Sequence, residues 1–441
     1  MEETKTKTKT KTKTKTKTKT KTGKERKANW KEYMATVEDI QNFLMDRVLL
    51  RHNVITRRVE YRLPSSYDCE GTDWQPINDR MVNSLWAELS QTKVVRAQDI
   101  YRVLESDFVA DFNPFTSYLQ HLSRWNGDDY ILAMSVSVTV RGAVEEQLLF
   151  AQYLKKWLVG MVAAWINPQV VNNVILVLIG EQGAYKTTWF NYLLPPELRQ
   201  YFYTKTNSNK MGRDDLLTLA QYALVCCEEL DTMRPSELNQ LKAAVTMPSI
   251  DERAAYAHFH EHRPHIASFC GTGNNMQFLS DPTGNRRWLP FEVVSIMSPR
   301  ETPFEYEGIY AQAYALYKQG FQFWFSKSEM ERLAVHNRQF ETPRLESELV
   351  QQYFRRPAGM EPGEFMPVSM ALQIVGANIT QKLSTVMLGR AFVEQDFERR
   401  TSHNVRGYVV VRRSAEEMRS LRSMMARYDD DDTHTDDTDS F

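Results

Sequence analysis

The chain has 441 residues, enough for about three domains of ordinary size. Hydrophobic residues make up 42% and charged residues 25%, which excludes a wholly disordered chain and indicates a large core. The formal net charge is −1, so a uniformly basic nucleic-acid-binding protein is also excluded.

The charge is unevenly distributed between the two ends. Residues 1–28 carry a net +9, largely from a Thr-Lys repeat, whereas residues 429–441 carry −7 from seven aspartates. The repeat has no apolar face to bury, so we expect a disordered tail over 1–28. On composition alone, we favour a tail without a function over an arm that binds nucleic-acid phosphates independently of sequence.

The cysteines Cys69, Cys226, Cys227 and Cys270 show no CxxC spacing, and three of them lie in apolar, strand-like runs. Such usage is typical of a reduced, intracellular protein without structural zinc. The longest apolar runs are too short to span a bilayer, and the N-terminus lacks the apolar segment of a secretory signal. We therefore expect a cytoplasmic protein without a membrane partner.

The region after the tail, residues 29–150, predicts a mixed accessory region. Thr36 is a candidate N-cap for a helix to Met45, with Glu38 in its first turn. Residues 51–63 alternate in polarity like a β-hairpin. Apolar spacing predicts short helices over 83–89, 97–104 and 115–125, and one long amphipathic helix over 145–165.

The central region alternates apolar runs with helical stretches. Because continuous apolar strands between helices indicate a parallel sheet covered on both faces, we predict an α/β core. We assign this domain to residues 151–345. The predicted strands are 174–179, 222–227, 265–271 and 287–293, and the predicted helices are 187–194 and 235–245.

The C-terminal third predicts a separate small domain. Helical spacing continues to about residue 354, and a Pro/Gly patch at 357–363 indicates a linker. Beyond it we expect three helices and then two strands, 396–400 and 407–412, around a turn at 402–406. That order suits a winged helix-turn-helix over 346–415, followed by a helical end and an acidic disordered tail over 416–441.

The strand 174–179 leads directly into GEQGAYKTT, close to the phosphate-binding loop G-x-x-x-x-G-K-[ST]. Loop N–H groups would cradle the phosphates of ATP, Lys186 would reach the β and γ phosphates, and Thr187 would ligate Mg²⁺. Tyr185 stands where the pattern has glycine. If that position needs a positive φ, the bulky residue costs about 1–2 kcal/mol. The predicted nucleotide-binding residues are Gly180, Glu181, Gln182, Gly183, Ala184, Tyr185, Lys186, Thr187 and Thr188.

The alternative is a strand-turn-helix with a chance Lys-Thr pair, or a degraded loop that binds nucleotide weakly. The strand-loop-helix context favours a nucleotide site.

Two further strand ends supply polar residues. Glu228 and Glu229 follow the strand 222–227, where the first acid would orient Mg²⁺ and the second would polarise the attacking water. Asn274 follows the third strand and would sense the γ-phosphate. Taken singly, such residues are more often a solvated strand end or a polar turn, so the prediction depends on their combination with the loop.

Paired arginines follow a glycine turn further along. Arg286 and Arg287 would stabilise charge on the γ-phosphate across a subunit boundary, although a surface salt bridge is the alternative. His258, His260 and His262 share one face of a strand, which permits a metal site. Because nothing nearby completes it, a solvated hairpin that faces nucleic acid is the better interpretation.

These motifs together resemble the virulence-associated protein E (VapE) family. The resemblance is carried by GEQGAYKTTWF at 180–190, Glu228-Glu229-Leu230-Asp231, Leu241-Lys242, Asp251-Glu252-Arg253 with Tyr256, Gly271-Thr272-x-Asn274 and the DPTGNRRWLP segment at 281–290. It covers residues 170–295 most firmly.

The resemblance implies an AAA+-like, superfamily 3-type P-loop ATPase core that acts on DNA in phages or other mobile elements, related to helicase halves of primase-helicases. It implies a homo-oligomer, with a ring among its forms, and a primase or other replication protein as a further partner. We therefore expect an ATP-hydrolysing, helicase-like remodelling protein. A nucleotide-gated DNA-binding assembly with little hydrolysis is the alternative. The DNA-contact candidates are Arg253, Arg263, Arg399, Arg400 and Arg406 on the 247–263 hairpin and the basic wing.

Overall fold

The computed structural model describes residues 33–64, 73–205, 213–252, 261–279, 285–342, 344–377, 379, 383–402 and 405–421. The chain divides into two compact units, Met1–Ser117 and Tyr118–Phe441. Among the described residues, no helix combines the length and the apolar character needed to cross a membrane. The predicted disordered tails lie outside the described residues.

The N-terminal unit is a small sheet with helices. Its strands stand in the order β3-β2-β1-β4, with β1 and β2 antiparallel, which confirms the predicted hairpin. Thr36 caps the first helix: its hydroxyl accepts the N–H of Asp39 at 3.1 Å, and the Asp39 carboxylate accepts the N–H of Thr36 at 2.9 Å. The elements are α1 (Val37–Arg47), β1 (Leu49–Asn53), β2 (Arg58–Arg62), β3 (Gln75–Pro76), α2 (Asp79–Leu89), α3 (Ala97–Leu104) and β4 (Asp111–Phe112), before α4 (Pro114–His121) at the unit boundary.

The second unit is built around a six-stranded sheet whose strands stand in the order β5 (Val138–Val140), β12 (Trp288–Ile296), β6 (Ile175–Ile179), β11 (Ser268–Gly273), β8 (Leu224–Cys227) and β7 (Phe202–Lys205). All neighbouring strands pair in parallel except β5, which runs antiparallel to β12. This confirms the predicted α/β core with a parallel sheet. The elements up to the third parallel strand are α5 (Tyr130–Ser135), β5 (Val138–Val140), α6 (Val144–Ile166), β6 (Ile175–Ile179), α7 (Lys186–Leu193), β7 (Phe202–Lys205), α8 (Arg213–Gln221) and β8 (Leu224–Cys227).

The remaining core elements include the predicted hairpin, whose strands β9 and β10 pair antiparallel. The elements are α9 (Pro235–Val245), β9 (Ser249–Glu252), β10 (Glu261–Pro264), β11 (Ser268–Gly273), β12 (Trp288–Ile296), α10 (Tyr306–Lys318) and α11 (Lys327–His336). The sequence pattern did not predict the strands β5 and β7. The strand β5 pairs with β12 although it lies in the segment assigned to the accessory region, and the domain limits at 150 and 345 remain a prediction.

The long helix α6 is not amphipathic as predicted. From Phe150 to Trp165 almost every side chain is buried, because the helix lies in the core with protein on nearly all sides. The indole N–H of Trp157 donates to the carbonyl of Phe269 at 3.0 Å, which ties α6 to β11. A helix hydrophobic on all sides is the expected pattern for such a central position.

The C-terminal segment differs from the prediction in two respects. Between the linker and β16 the described residues form two helices, not three, because Glu364–Pro367 forms a strand that pairs with β16; a helical segment at 415–421 follows β16. The predicted turn is also shorter, since Ser402 still pairs with Val405. The elements are α12 (Leu345–Tyr353), β13 (Phe354–Arg355), β14 (Glu364–Pro367), α13 (Val368–Gly376), α14 (Thr385–Glu394), β15 (Arg399–Ser402) and β16 (Val405–Arg412).

The buried amide of Asn172 connects three segments of the second unit. Its Nδ2 donates to the Trp157 carbonyl of α6 at 2.9 Å and to the Ser268 hydroxyl of β11 at 3.0 Å. We expect Asn172→Ala to lower the free energy of unfolding by about 2–3 kcal/mol, because it leaves buried polar groups unpaired. The neighbouring Asn173 is exposed, so Asn173→Ala should change stability by less than about 0.5 kcal/mol. Urea unfolding of both variants measures the difference, and equal losses would contradict the assignment.

Candidate functional site

The carboxyl ends of three parallel strands place the predicted site residues next to one another. In the sheet, Gly273 at the end of β11 is the register partner of Ile179 at the end of β6, and Gly271 is the partner of Cys227 at the end of β8. The segments that follow these three strands therefore lie at one edge of the sheet. They are the loop after β6, the acidic pair Glu228-Glu229 after β8 and Asn274 after β11. Ligands of open parallel sheets bind outside this edge.

The loop between β6 and α7 has the glycines and the turn geometry that the motif predicts. At Gly180, an added Cβ would lie 2.7 Å from the carbonyl oxygen of Val293, so only glycine fits there. Gly183 has φ +88°, in the region that disfavours other residues.

Tyr185 itself adopts φ +58° and ψ +16°, and its side chain is 47% exposed. The position thus needs the left-handed conformation, and the chain meets that need with a strained residue.

Lys186 is held at the mouth of the loop. Its ammonium donates to the carbonyls of Gly180 and Glu181 at 2.6 Å each, and lies 3.3 Å from Oδ1 of Asn274. Burial lowers the pKa of Lys186, while Asp231 and Glu181 act in the opposite direction. A cation that bonds to loop carbonyls and to a side chain of the neighbouring strand end stands where a phosphate chain would be bound.

Thr187 and Glu228 meet directly. The Thr187 hydroxyl donates to Oε1 of Glu228 at 2.8 Å, across from the first turn of α7 to the end of β8. Mg²⁺ in nucleotide sites is bound by one or two protein oxygens and completed by phosphate oxygens and water. A hydroxyl and a carboxylate oxygen at this separation fit that donor set, so Thr187 and Glu228 are the residues that would hold the ion.

The residue after Glu228 begins a tight turn. Glu229 has φ +53° and an exposed side chain, and its carbonyl accepts the N–H of Thr232 at 2.9 Å. The turn is fitted against β11, because a Cβ on Gly271 would lie 2.3 Å from Cδ1 of the buried Leu230. The turn therefore leaves the Glu229 carboxylate in solvent at the same edge of the sheet.

Asp231 is a site residue to which the sequence analysis gave no role. Its Oδ2 accepts the N–H of Asn275 at 3.1 Å, so it fixes the loop that carries Asn274. A Cβ on Gly273 would lie 3.1 Å from its Oδ1, which is buried and has no hydrogen-bonding partner among the described residues. The Glu-Leu-Asp sequence was the available signal, but an acid four residues past a strand end is too common to identify a site residue by itself.

Arg286 and Arg287 lie away from this cluster. They precede Trp288, whose register partner is Ile175 at the start of β6, whereas the loop follows Ile179 at the other end. The five residues of β6 span about 16 Å, so both arginines stand at the opposite edge of the sheet from the loop of their own chain. This placement agrees with a role across a subunit boundary and excludes a contact with the chain's own loop in this conformation.

The DNA-contact candidates are divided by their exposure. Arg399, Arg400 and Arg406 are exposed on β15 and β16. Arg263 is only 6% exposed and so does not stand on the surface with the other three in this conformation; its DNA contact remains a prediction. Arg253 lies outside the described residues.

The histidine metal site gains no support from the placed residues. His262 is exposed, with Nδ1 2.7 Å from Asp251, while His258 and His260 lie outside the described residues. Within the described ranges, no group of three or more His, Cys, Asp or Glu side chains could hold a metal ion.

A family model for the virulence-associated protein E-like domain matches residues 119–342, just over half of the chain. The chain belongs to the VapE-like family. The match contains every element from α5 to α11, including the loop, the acidic turn and Asn274. No curated protein gives a significant sequence match.

Two solved structures are similar at low identity. One is described as the apo structure of the NrS-1 C-terminal region (305–718), with 12% identity and a TM-score of 0.47. The other is described as the A form apo structure of the same region, with 11% identity and a TM-score of 0.46. Each alignment covers 84% of this chain and 98% of the other.

The left-handed conformation at Tyr185 allows a test of the loop geometry. We expect the Tyr185→Gly variant to be about 1 kcal/mol more stable than Tyr185→Ala, because alanine keeps the steric clash that glycine removes. Ala184 does not share the positive φ, so Ala184→Gly should instead destabilise by about 0.5–1 kcal/mol. Thermal unfolding of the three variants decides the point, and a Tyr185→Ala variant as stable as Tyr185→Gly would contradict the geometry.

Proposed function

We propose that this VapE-like chain is an ATP-hydrolysing, DNA-associated, helicase-like remodelling protein of a phage or another mobile genetic element. The observation that carries the proposal is the convergence of Lys186, the Thr187–Glu228 pair and Asn274 at the carboxyl ends of three parallel strands. The five parallel strands, numbered in chain order, stand 5-1-4-3-2. The strand that precedes Asn274 therefore lies between the strand before the loop and the strand before Glu228, which suits an AAA+-like P-loop core.

The residues divide the chemistry among them. Lys186 and the N–H groups of the loop would bind the phosphates, and Thr187 with Glu228 would hold Mg²⁺. Bound Mg²⁺ would neutralise charge on the phosphate oxygens. Glu229 would orient the attacking water, because its carboxylate is exposed at the same edge. Asn274, held through Asp231 and the neighbouring Asn275, would contact the γ-phosphate.

The C-terminal segment supports a DNA-binding role. Its order of one helix, two strands, two helices and two strands, with β14-β16-β15 in one antiparallel sheet, suits a winged helix. Arg399, Arg400 and Arg406 on its wing would contact phosphates. The contacts would be insensitive to sequence and would weaken with salt.

A second function is favoured by the strain at Tyr185 and by the two short bonds that hold Lys186 to its own loop. A loop closed in this way suits a nucleotide-gated DNA-binding assembly with little hydrolysis. The two functions differ in turnover. A motor shows DNA-stimulated ATP hydrolysis, whereas a gate binds ATP with Mg²⁺ and changes its DNA affinity without turnover.

Lys186 provides the first test. We expect Lys186→Ala to lower DNA-stimulated ATP hydrolysis by about 100-fold or more, because it removes the charge that would stabilise the transferred phosphoryl group. Lys318, an exposed lysine on α10, serves as the control, and Lys318→Ala should keep full turnover. Phosphate release with and without single-stranded DNA measures both. If neither ATP turnover nor an ATP-dependent thermal shift depends on Lys186, both proposed functions fail.

The position of Arg286 and Arg287 provides the second test. We expect the variant that removes the acting arginine to lose about 1,000-fold in turnover, as arginines acting across an interface do. Because the arginine and Lys186 would serve different sites, mixing that variant with Lys186→Ala chains should restore part of the activity. Mixed ATPase assays at a fixed total concentration measure the recovery. If neither single arginine variant loses turnover, or if mixing restores none, a role across subunits is contradicted.

A further inference from the structure

A basic groove of about 620 Å³ lies between α14 and the strands β15 and β16. Arg390 of α14 and Arg399 and Arg406 of the two strands line it, and all three side chains are exposed. The apolar part of its wall includes Val386 and Val393. The groove thus combines three cations with a small apolar surface.

The charge of the groove is not neutralised within the described part of the chain, where none of the three guanidinium groups has a hydrogen-bonding or ionic partner. The one acid among the lining residues, Glu394, forms an ion pair with Arg344 at 3.0 Å. Arg400 is a natural contrast, because successive residues of a strand point to opposite faces and Arg400 does not line the groove. The groove therefore presents unpaired positive charge of the kind that attracts a polyanion on one face of the wing.

The chain itself ends in a polyanion of suitable length. After β16, Arg413 donates its N–H to the carbonyl of Tyr353 at 2.9 Å, and Glu417 bonds to Arg355 at 3.3 Å, which fixes where the last described segment lies. Gly407, at the groove, is five residues or about 17 Å from Arg412. Residues 422–428 add about 23 Å of extended chain before the first of seven aspartates in 429–441. Residues 413–421, seven of them helical, add at most about 17 Å to that separation, whereas the extended chain from 422 to 436 covers about 50 Å. Aspartates of the tail can therefore reach the groove of their own chain.

We propose that the aspartate tail, residues 429–441, docks in the groove of Arg390, Arg399 and Arg406. The complementary charge and the length of the connecting chain single out this occupant. Because two of the three arginines are also the proposed DNA contacts, the docked tail competes with DNA. This competition rests on the proposed function, whereas the docking does not. The tail then lowers DNA affinity at low salt and loses its effect as salt screens the charges.

The docking is tested without DNA. The receptor is the full chain with its tail aspartates neutralised, and the probe is a fluorescent peptide with the sequence of residues 429–441. We expect binding by anisotropy at about 50 mM salt, a loss of about tenfold in affinity with Arg390→Gln or Arg399→Gln, and no binding at about 500 mM salt. Arg400→Gln, the matched control on the same strand, should bind the peptide as before. The neutralised tail carries D429N, D430N, D431N, D432N, D436N, D437N and D439N.

The competition is tested with a labelled single-stranded oligonucleotide. We expect tail neutralisation to tighten DNA binding by about 3–10-fold in the otherwise native chain and in an Arg400→Gln background. In a background with both Arg390→Gln and Arg399→Gln, the same neutralisation should change the affinity by less than twofold. Thermal unfolding of each variant confirms that the exposed substitutions leave the fold intact.

Each result bears on a distinct claim. Absence of peptide binding, or an equal loss with Arg400→Gln, overturns the docking, because the tail then acts at most through overall charge. Peptide binding together with no DNA binding by any variant supports the docking and rejects the DNA contact of the proposed function. DNA binding that is unchanged by tail neutralisation overturns the competition.

Discussion

The parallel register of β6, β11 and β8 is the constraint on which the proposed site depends. Backbone hydrogen bonds across these strands align Ile179 with Gly273 and Gly271 with Cys227. Every polar residue that follows a strand end is therefore brought to one edge without any long side-chain reach. The covering helix α6 stabilises this register through Trp157 and Asn172, so the packing of the core also determines the positions of Lys186, Glu228 and Asn274.

The turn after β8 shows how tightly the two neighbouring strands are fitted. Leu230 packs where a Cβ on Gly271 would be, and Asp231 packs beside Gly273 while it holds the N–H of Asn275. The acidic turn and the Asn274 loop therefore form one packed unit. A shift of the acidic turn would therefore move the Asn274 loop, and the reverse. The positions of the Glu228 and Glu229 carboxylates are thus coupled to the position of the Asn274 amide.

Much of this site could be predicted from sequence, because its signals are local. The apolar run before Gly180 predicts a strand, and the Lys186-Thr187 pair predicts the helix that follows. The strain at Tyr185 could be predicted only on the condition that this loop position needs a positive φ, which the sequence alone does not establish. Arg263 could not be placed, because its burial depends on packing between segments distant in the chain. The strand β14 was missed since four residues of mixed polarity have no period, and the strand exists only through its pairing with β16.

The placement of Arg286 and Arg287 has a consequence for assembly, if they complete the site of a neighbour. Each copy would then offer its loop edge to one neighbour and its arginine edge to another, so the contact would be heterologous and directional. Repeating such a contact either closes a ring or extends an open filament, depending on the rotation between copies. Dilution would dissociate either the ring or the filament and so separate each loop from its neighbour's arginine. The ATP turnover per chain would therefore rise with protein concentration.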